Sequence, residues 1–296
     1  MVQENSLKKV IVIVGPTAVG KTNLSVLLAK KYGGEIVNAD QSQMHKLLNI
    51  GTAKINELEM GGVKHHFIDT LDPTEQYSIK DFQDQARNII DNMNCLPFIV
   101  GGSGLYVDSL ITNYDLSVKK RNNYDTSYDN LSNEQLYDML YSLNQDAALK
   151  THPNNRKRVL RYLEIINEKG NLISNTNSPY YNSLIIFLNN NRDVLYDRIN
   201  RRCDLMIENG WIDEVKLLIQ NNIDVSLIKE IGYNDIYRYL KGELEIDEVV
   251  NKIKQDTRHY AKRQITWFKN KMNCIEIIND NNAFDKICTL IDEFIK

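Results

Sequence analysis

The sequence predicts an α/β protein in which a parallel β-sheet is covered by helices on both faces and interrupted by an all-helical insertion. Short apolar runs rich in β-branched residues alternate with longer stretches of helical periodicity. Strands that are apolar on both faces are typical of parallel sheets, which helices bury on each side. Residues 114–181 show no strand pattern, so this stretch predicts a separate helical segment.

The predicted strands and helices alternate along the chain. The first helix covers residues 21–31 and ends before Gly33 and Gly34, because consecutive glycines favour termination. Runs of apolar and β-branched residues predict five strands, at residues 8–14, 35–37, 98–100, 184–188 and 274–278.

Two regions of different character divide the sequence. Residues 1–114 and 182–296 form the predicted α/β core, whose C-terminal part is again mostly helical. Residues 115–181 form the predicted insertion, with a polar, Asn-rich loop followed by two helices near residues 132–143 and 155–169. The chain is therefore predicted to fold as one core interrupted by one helical domain.

Composition restricts the class of protein. The chain has 296 residues, 42% hydrophobic and 25% charged, which is an ordinary globular balance. No apolar run approaches the roughly 20 residues of a membrane helix, and the polar N-terminus lacks a signal-peptide pattern. The four cysteines have no metal-ligand spacing, so free thiols and a cytoplasmic location are expected. The net charge of −3 does not favour a general nucleic-acid binder.

The strongest local pattern is a glycine-rich loop between the first strand and the first helix. It matches G-x-x-x-x-G-K-[ST] in full, in the strand–loop–helix context that the motif requires. Its glycines let backbone N–H groups face an anion, and the helix N-terminus adds partial positive charge. Lys21 would reach phosphate oxygens, and the Thr22 hydroxyl would hold Mg²⁺. The motif predicts a di- or triphosphate ligand, bound by Gly15, Pro16, Thr17, Ala18, Val19, Gly20, Lys21 and Thr22.

Acidic residues at the ends of the neighbouring strands help to indicate which phosphate compound the loop binds. Proteins that use ATP or GTP normally have an apolar strand that ends in Asp, which helps to hold the metal. The third predicted strand ends instead in glycines and Ser103, whereas Asp40 follows the second strand. Asp40 would serve the metal, act as a base or only cap the following helix. Residues 101–104 would form a second loop beside the phosphates or only a tight turn.

Three basic clusters stand out in a chain of net negative charge. They are Arg156, Lys157, Arg158 and Arg161 in the insertion; Arg198, Arg201 and Arg202; and Lys254, Arg258, Lys262, Arg263 and Lys269. One charged helix face is most often only solvated, but several of them in an acidic chain favour a polyanionic ligand. His65 and His66 have no partner at metal-ligand spacing and are expected to be structural.

Beyond the phosphate loop, an ordered set of short motifs runs through most of the chain. It includes Asn38-Ala39-Asp40 with Gln43, Ile50-Gly51-Thr52-Ala53-Lys54, His65-His66-Phe67-Ile68-Asp69, Gly101-Gly102-Ser103-Gly104-Leu105-Tyr106, His152-Pro153-Asn154-Asn155, Ile231-Gly232-Tyr233 and Ala261-Lys262-Arg263-Gln264-Ile265-Thr266-Trp267-Phe268. In this order the motifs resemble the tRNA dimethylallyltransferases, also called tRNA isopentenyltransferases. The phosphate loop alone would be generic, whereas the ordered set is specific.

The resemblance implies a P-loop NTPase-like fold and a prenyl transfer. A dimethylallyl group would pass from dimethylallyl diphosphate to the exocyclic N6 amine of the adenosine 3′ of the anticodon, in tRNAs that read codons starting with U. It implies that Asp40 is the general base, that Arg202 holds the leaving diphosphate and that Ser103 keeps the hydroxyl of the family's usual threonine. The implied tRNA contacts are Asp40, Gln41, Ser42, Gln43, Ser103, Lys157, Arg158, Val159, Leu160 and Arg161.

Three other functions remain open at this level. A small-molecule kinase with a phosphate loop is disfavoured by the glycines that end the third strand. An adenylate isopentenyltransferase, acting on free nucleotides, is disfavoured by the basic helical insertion. A non-enzymatic RNA-binding module would leave Lys21, Thr22 and Asp40 without a joint role. The chain is expected to act as a monomer on the anticodon stem-loop, with Mg²⁺ and without a membrane.

Overall fold

The computed structural model describes residues 7–114, 116, 128–169 and 178–296. The chain divides into two compact units, Met1–Thr112 with Pro179–Lys296, and Asn113–Ser178. The second unit differs from the insertion predicted at residues 115–181 by two residues at one end and three at the other. The loop predicted before its first helix lies mostly outside the described residues.

A six-stranded sheet forms the centre of the first unit. Its strands are β1 (Lys9–Val14), β2 (Glu35–Asn38), β3 (His65–His66), β4 (Pro97–Gly101), β5 (Asn182–Asn189) and β6 (Ile275–Ile278). They lie in the order β3-β2-β4-β1-β5-β6, and every neighbouring pair is parallel. The predicted parallel α/β fold is confirmed.

The central strand β1 shows why helices must cover both faces. Its residues from Val10 to Val14 are completely buried. Ile11 and Ile13 belong to the apolar core on one face, whereas Val10, Val12 and Val14 belong to the core on the other. Successive side chains of a strand point to opposite faces, so a strand that is apolar at every position needs a cover on both sides.

Helices provide that cover. In chain order they are α1 (Lys21–Tyr32), α2 (Glu57–Met60), α3 (Ile79–Asp91), α4 (Gly104–Ile111), α5 (Asn133–Leu143), α6 (Gln145–Leu149), α7 (Arg156–Lys169), α8 (Arg192–Glu208), α9 (Trp211–Gln220), α10 (Tyr233–Leu240), α11 (Ile246–Lys271) and α12 (Ala283–Ile295). Leu28 of α1 and Ile287 of α12 pack on one face of the sheet, and Phe82 of α3 and Leu110 of α4 on the other. No helix in the described part of the chain is long and apolar enough to cross a bilayer.

Strand β3 is the element that the sequence did not reveal. It consists of two histidines, too few and too polar for an alternating apolar pattern. His66 Nε2 lies 2.7 Å from Glu35 Oε2, and His65 Nδ1 lies 2.8 Å from the carbonyl oxygen of Val63. Both imidazoles are therefore engaged within the fold, in agreement with their expected structural role.

The second unit has a core of its own. Helices α5 and α7, predicted from periodicity, and the short α6 enclose buried residues that include Leu136, Leu140 and Leu163. The Arg156 guanidinium donates to the carbonyl oxygen of Tyr128 at 2.7 Å and of Leu131 at 2.6 Å. This arginine of the first basic cluster therefore joins the start of α7 to the preceding chain.

Candidate active site

Three chain segments leave the sheet side by side at its carboxyl edge. They are the phosphate loop (residues 15–22) after β1, the 40–54 segment after β2 and the glycine loop (residues 101–104) after β4. Val14 pairs with Gly101, and Asn38 pairs with Val100, so the segments begin at neighbouring points. Open parallel sheets bind their ligands outside this edge.

The phosphate loop has the backbone geometry that an anion requires. Gly20 precedes α1 with a φ of 97°, and as a glycine it has no side chain that could cap the first turn. The N–H groups of a first turn need an acceptor, and phosphate oxygens are well suited to supply it. Gly15 passes so close to β5 that a Cβ there would lie 2.2 Å from the Leu188 carbonyl oxygen. Only glycine allows that approach.

Two side chains from the far end of the sequence hold this loop in place. Asn279, just after β6, donates from Nδ2 to the Val19 carbonyl oxygen at 2.6 Å. The buried Gln264 of α11 accepts from the Thr17 N–H at 2.9 Å and donates to the Gly102 carbonyl oxygen at 2.9 Å. Gln264 therefore joins the phosphate loop to the glycine loop. No spacing in the sequence indicated either contact.

Two cations stand beside the phosphate loop. Lys21 Nζ donates to the carbonyl oxygens of Gly15 and Pro16, both at 2.8 Å. Burial lowers the pKa of the Lys21 amine to about 8, with the Asp40 carboxylate opposing this shift and the Arg202 charge adding to it. Arg202 donates from Nη2 to the Thr17 hydroxyl, while its buried Nε has no hydrogen-bond partner within the described chain. A buried donor that lacks an acceptor in the protein is a candidate hydrogen-bond partner for a ligand.

Asp40 lies in the same electrostatic cluster. Asn38 fixes its backbone, donating from Nδ2 to the carbonyl oxygens of Asp40 and Phe67, both at 2.9 Å. Asp40 Oδ1 accepts from the Ser42 N–H at 3.2 Å and so caps a short 3₁₀ turn. Burial raises the pKa of the Asp40 carboxyl, while Lys21, the Ser42 N–H and Arg202 hold the increase back. Asp40 therefore caps the turn and also remains close enough to Lys21 and Arg202 to be influenced by their charges.

The glycine loop brings a second hydroxyl group to the site. A Cβ at Gly101 would lie 2.4 Å from the Ala39 carbonyl oxygen, so this position must lack a side chain. Ser103 immediately precedes α4, and its side chain lies near the Tyr260 hydroxyl of α11. Burial raises the pKa of the Tyr260 hydroxyl, and Asp40 raises it further. Tyr260 is therefore a member of the site that sequence reasoning missed.

The remaining predicted nucleotide contacts of the first unit lie on the turn that Asp40 caps. Gln41, Ser42 and Gln43 are half-buried there. Gln43 Nε2 donates to the Ala53 carbonyl oxygen at 3.3 Å, which closes the 40–54 segment on itself. The structure thus places these residues next to Asp40.

Helix α7 of the second unit carries the other predicted tRNA contacts. Lys157 and Arg158 are exposed, and Arg161 forms an ion pair with Glu164 at 3.2 Å. Val159 and Leu160 are buried, at 0% and 6% exposure, in the core of that unit. Their side chains pack there because they occupy the apolar face of an amphipathic helix. The prediction of tRNA contacts by these two side chains is therefore corrected.

The basic clusters of α8 and α11 are partly engaged within the fold. Lys254 forms an ion pair with Asp204 at 2.6 Å, and Arg258 donates to Asn200 Oδ1 at 2.6 Å. These contacts join α11 to α8. Lys254 and Arg258, which the sequence suggested for binding a polyanion, therefore contact a neighbouring helix instead.

The side chains near the phosphate loop fit a magnesium ion. Mg²⁺ keeps several waters and is usually bound by one or two protein oxygens together with substrate phosphates. The half-buried Thr22 in the first turn of α1 is a suitable oxygen donor. Within the described ranges no group of three or more His, Cys, Asp or Glu residues is arranged for a metal. A site completed by phosphate oxygens is consistent with both observations.

A phosphate loop between the central strand and the first helix of a parallel sheet defines a P-loop NTPase-like protein. The second strand ends beside an acid and the neighbouring strand ends in glycines, so the site differs from that of a nucleotide hydrolase.

Comparison with known proteins narrows this class. The family model described as "IPP transferase" matches residues 43–271, more than half of the chain. A tRNA dimethylallyltransferase of Halalkalibacterium halodurans is 43% identical, with 97% of this chain and 96% of the relative covered. A crystal structure of a tRNA isopentenylpyrophosphate transferase from Staphylococcus epidermidis aligns with a TM-score of 0.74 at 36% identity, covering 97% of this chain and 99% of that one.

A third comparison extends to eukaryotes. The structure of a eukaryotic dimethylallyltransferase acting on tRNA aligns with a TM-score of 0.82 at 29% identity, covering 97% of this chain and 79% of that one. The chain belongs to the IPP transferase family, the family of the tRNA dimethylallyltransferases. The resemblance predicted from the ordered motifs is confirmed.

Proposed function

We propose that this chain transfers a dimethylallyl group from dimethylallyl diphosphate to N6 of the adenosine 3′-adjacent to the anticodon, in tRNAs that read codons starting with U. One observation carries the proposal. A diphosphate-type loop, a half-buried arginine whose buried Nε has no acceptor and a half-buried carboxylate meet at one sheet edge, in a chain of this family. The loop suits the leaving group, and the carboxylate suits the acceptor amine.

The donor end of the reaction depends on stabilising the leaving diphosphate. The Lys21 amine would exchange the carbonyl oxygens of Gly15 and Pro16 for phosphate oxygens, and Arg202 Nε would gain its missing acceptor. Each preorganised donor of this kind is worth about 3 kcal/mol in comparable sites. The allylic carbon–oxygen bond breaks with its electron pair going to the diphosphate. We assign Thr22 as the protein ligand of Mg²⁺, which would supply further neutralisation of that charge when bound.

The acceptor end depends on removing a proton from a poor nucleophile. The N6 lone pair is delocalised into the adenine ring, so the new carbon–nitrogen bond needs a base beside it. Asp40 would accept the N6 proton as the bond forms, and its raised pKa makes it a better base than an exposed carboxylate. Ser103, which lies near Tyr260, would orient the adenine through its hydroxyl.

The tRNA would be bound through its anticodon stem-loop. Lys157, Arg158 and Arg161 of α7 would supply positive charge for phosphates, and residues 41–43, which follow Asp40, would contact the reacting nucleotide. The adenine must leave its stack to reach Asp40, and a single-stranded loop makes that extrusion inexpensive. The monomeric state and the cytoplasmic location stay predictions from the sequence.

A single set of incubations tests the proposal. Purified protein, Mg²⁺ and dimethylallyl diphosphate are mixed with unmodified tRNA that carries adenosine 3′ of its anticodon, or with AMP. Nuclease digestion and mass spectrometry then detect prenylated adenosine, and a further tube measures ATP consumption. We expect product with tRNA only. Product with AMP only would indicate an adenylate isopentenyltransferase, and ATP consumption without prenylated product would indicate a kinase.

A further inference from the structure

The 40–54 segment contains unfavourable backbone conformations that need stabilising contacts. Leu47 and Ala53 have φ angles of 65° and 49°, in the left-handed region that residues with a Cβ rarely adopt. Such conformations persist only when the surrounding structure enforces them. Hydrogen bonds within the segment provide part of this constraint, and one further constraint comes from outside it.

Glu214 of α9 supplies it. Its Oε2 accepts from the Asn49 N–H at 2.8 Å and from the Ile50 N–H at 2.7 Å. Its Oε1 accepts from the Gly51 N–H at 3.2 Å and from the Tyr233 hydroxyl at 2.6 Å. Glu214 is buried, at 9% exposure, and Tyr233 is completely buried. Three consecutive amides thus converge on one carboxylate, an anion nest filled by the protein's own side chain.

The first residue of the same helix reinforces this contact. Trp211 is buried, and a Cβ at Gly51 would lie 2.2 Å from its Nε1. The backbone at Gly51 therefore lies against the indole ring. Glu214 and Trp211 together fix both the orientation of the amides and the depth at which the loop packs.

Hydrogen bonds carry this constraint to the residues beside Asp40. Lys54 Nζ donates to Asn49 Oδ1 at 3.0 Å and to the His45 carbonyl oxygen at 2.6 Å, and it forms an ion pair with Asp69. The Asp69 N–H donates to the Gln43 carbonyl oxygen at 3.3 Å. Glu214 is thereby connected to Gln43, whose N–H donates to the Asp40 carbonyl oxygen at 3.2 Å, while the Asn38 side chain holds the Asp40 backbone as well.

We propose that Glu214 is a positioning residue for the nucleic-acid acceptor: by holding the amides of residues 49–51 it sets the surface around Gln43 on which the RNA loop is bound. The inference rests on the proposed function and adds to it a residue that determines acceptor affinity. The phosphate loop is supported by Gln264 and Asn279 and is independent of Glu214. Glu214 therefore governs binding of the acceptor but not binding of the donor.

The test compares Glu214→Gln with Asp213→Asn, a matched control that removes one charge from the same helix at an exposed position paired with Lys216. In the Gln variant an NH₂ group replaces one acceptor oxygen, so at least one amide loses its partner. We expect KM for the tRNA to rise about tenfold, as the loss of a charge-assisted bond predicts. The kcat of the variant and the Kd for inorganic diphosphate with Mg²⁺ are expected to stay at wild-type values. Tyr233→Phe, which removes only the hydroxyl donor, is expected to raise the same KM by less.

Three results would overturn the inference. Equal weakening of diphosphate and tRNA binding in Glu214→Gln would mean a general structural role. A KM for tRNA equal to that of Asp213→Asn would mean that the contact between Glu214 and the amides of residues 49–51 does not affect acceptor binding. Wild-type protein that fails to prenylate any tRNA would refute the proposed function, and this inference with it. Active wild-type protein with an unaffected variant would refute the inference alone.

Discussion

The phosphate loop and the 40–54 segment leave the same edge of one sheet, yet they are built in different ways. The phosphate loop runs from the end of β1 into α1 within eight consecutive residues, with glycine at the approach to β5 and before the helix, and with Ala18 at a φ of 62°. In the 40–54 segment Leu47 and Ala53 have left-handed conformations, and three successive N–H groups are bound by the Glu214 carboxylate of another helix.

The difference follows from what each region has to recognise. A diphosphate is bound by main-chain N–H groups and a helix N-terminus, so a short motif specifies almost everything that it needs. An adenine in an RNA loop is recognised by side chains, whose positions depend on how distant elements pack. The two regions should therefore respond to different substitutions, and the following predictions separate them.

The largest effect is expected for Asp40→Asn. Asparagine keeps the oxygen that caps Ser42 but cannot accept the N6 proton, so turnover is expected to fall by about 10²–10⁴-fold. Affinity for the tRNA and for diphosphate is expected to stay near wild type. Single-turnover kinetics and RNA binding by fluorescence anisotropy measure the two quantities. Equal losses in both would remove Asp40 from the role of base.

The pH dependence of activity in the wild type and in Asp40→Asn tests the same assignment of the base. A base must be deprotonated, so activity is lost as pH falls through the pKa of the carboxyl. Because burial raises that pKa, the acidic limb of the wild-type profile is expected above the ordinary aspartate value of about 3.9. The residual activity of Asp40→Asn is expected to lack this limb. If both proteins lost activity at the same acidic pH, the ionisation responsible would belong to a group other than Asp40.

A smaller effect, mainly on the donor, is expected for Gln264→Met. The substitution leaves the Thr17 N–H and the Gly102 carbonyl oxygen without their partner. Diphosphate affinity is expected to fall about tenfold, as leaving a buried polar group unsatisfied predicts. Thr266→Ala on the exposed side of α11 is the control, since that hydroxyl bonds only within its helix. A parallel rise in KM for the tRNA would show that the two regions are not independent.

The smallest effect is a pH dependence of thermal stability in Lys21→Met. Between pH 8 and 10.5 the unfolded lysine still binds its proton, whereas the folded one, with its pKa lowered to about 8, has released it. Wild-type stability therefore rises with pH in this window relative to the variant, by a few degrees in Tm. Melting curves at several pH values, with exposed Lys30→Met as control, measure the difference. A constant difference across the window would contradict it.

Much of the core could be predicted because its signals are local. Apolar runs indicated five of the six strands, and β3 was missed because two histidines carry no periodicity. The phosphate loop and Asp40 were identified from residues adjacent to strand ends. The family resemblance assigned Val159 and Leu160 to tRNA binding, although helical geometry directs their side chains into the core of the second unit.

The sequence by itself determined the parallel sheet, the phosphate loop and the family, because hydrophobic periodicity, glycine spacing and ordered motifs are readable within short windows. Only the tertiary structure decided which side chains complete the two regions. Gln264 contacts Thr17, and Glu214 contacts Asn49, across 247 and 165 residues of sequence. Such contacts depend on how α11 and α9 pack against the rest of the first unit, and no local pattern specifies the position of a distant donor or acceptor to within a hydrogen bond.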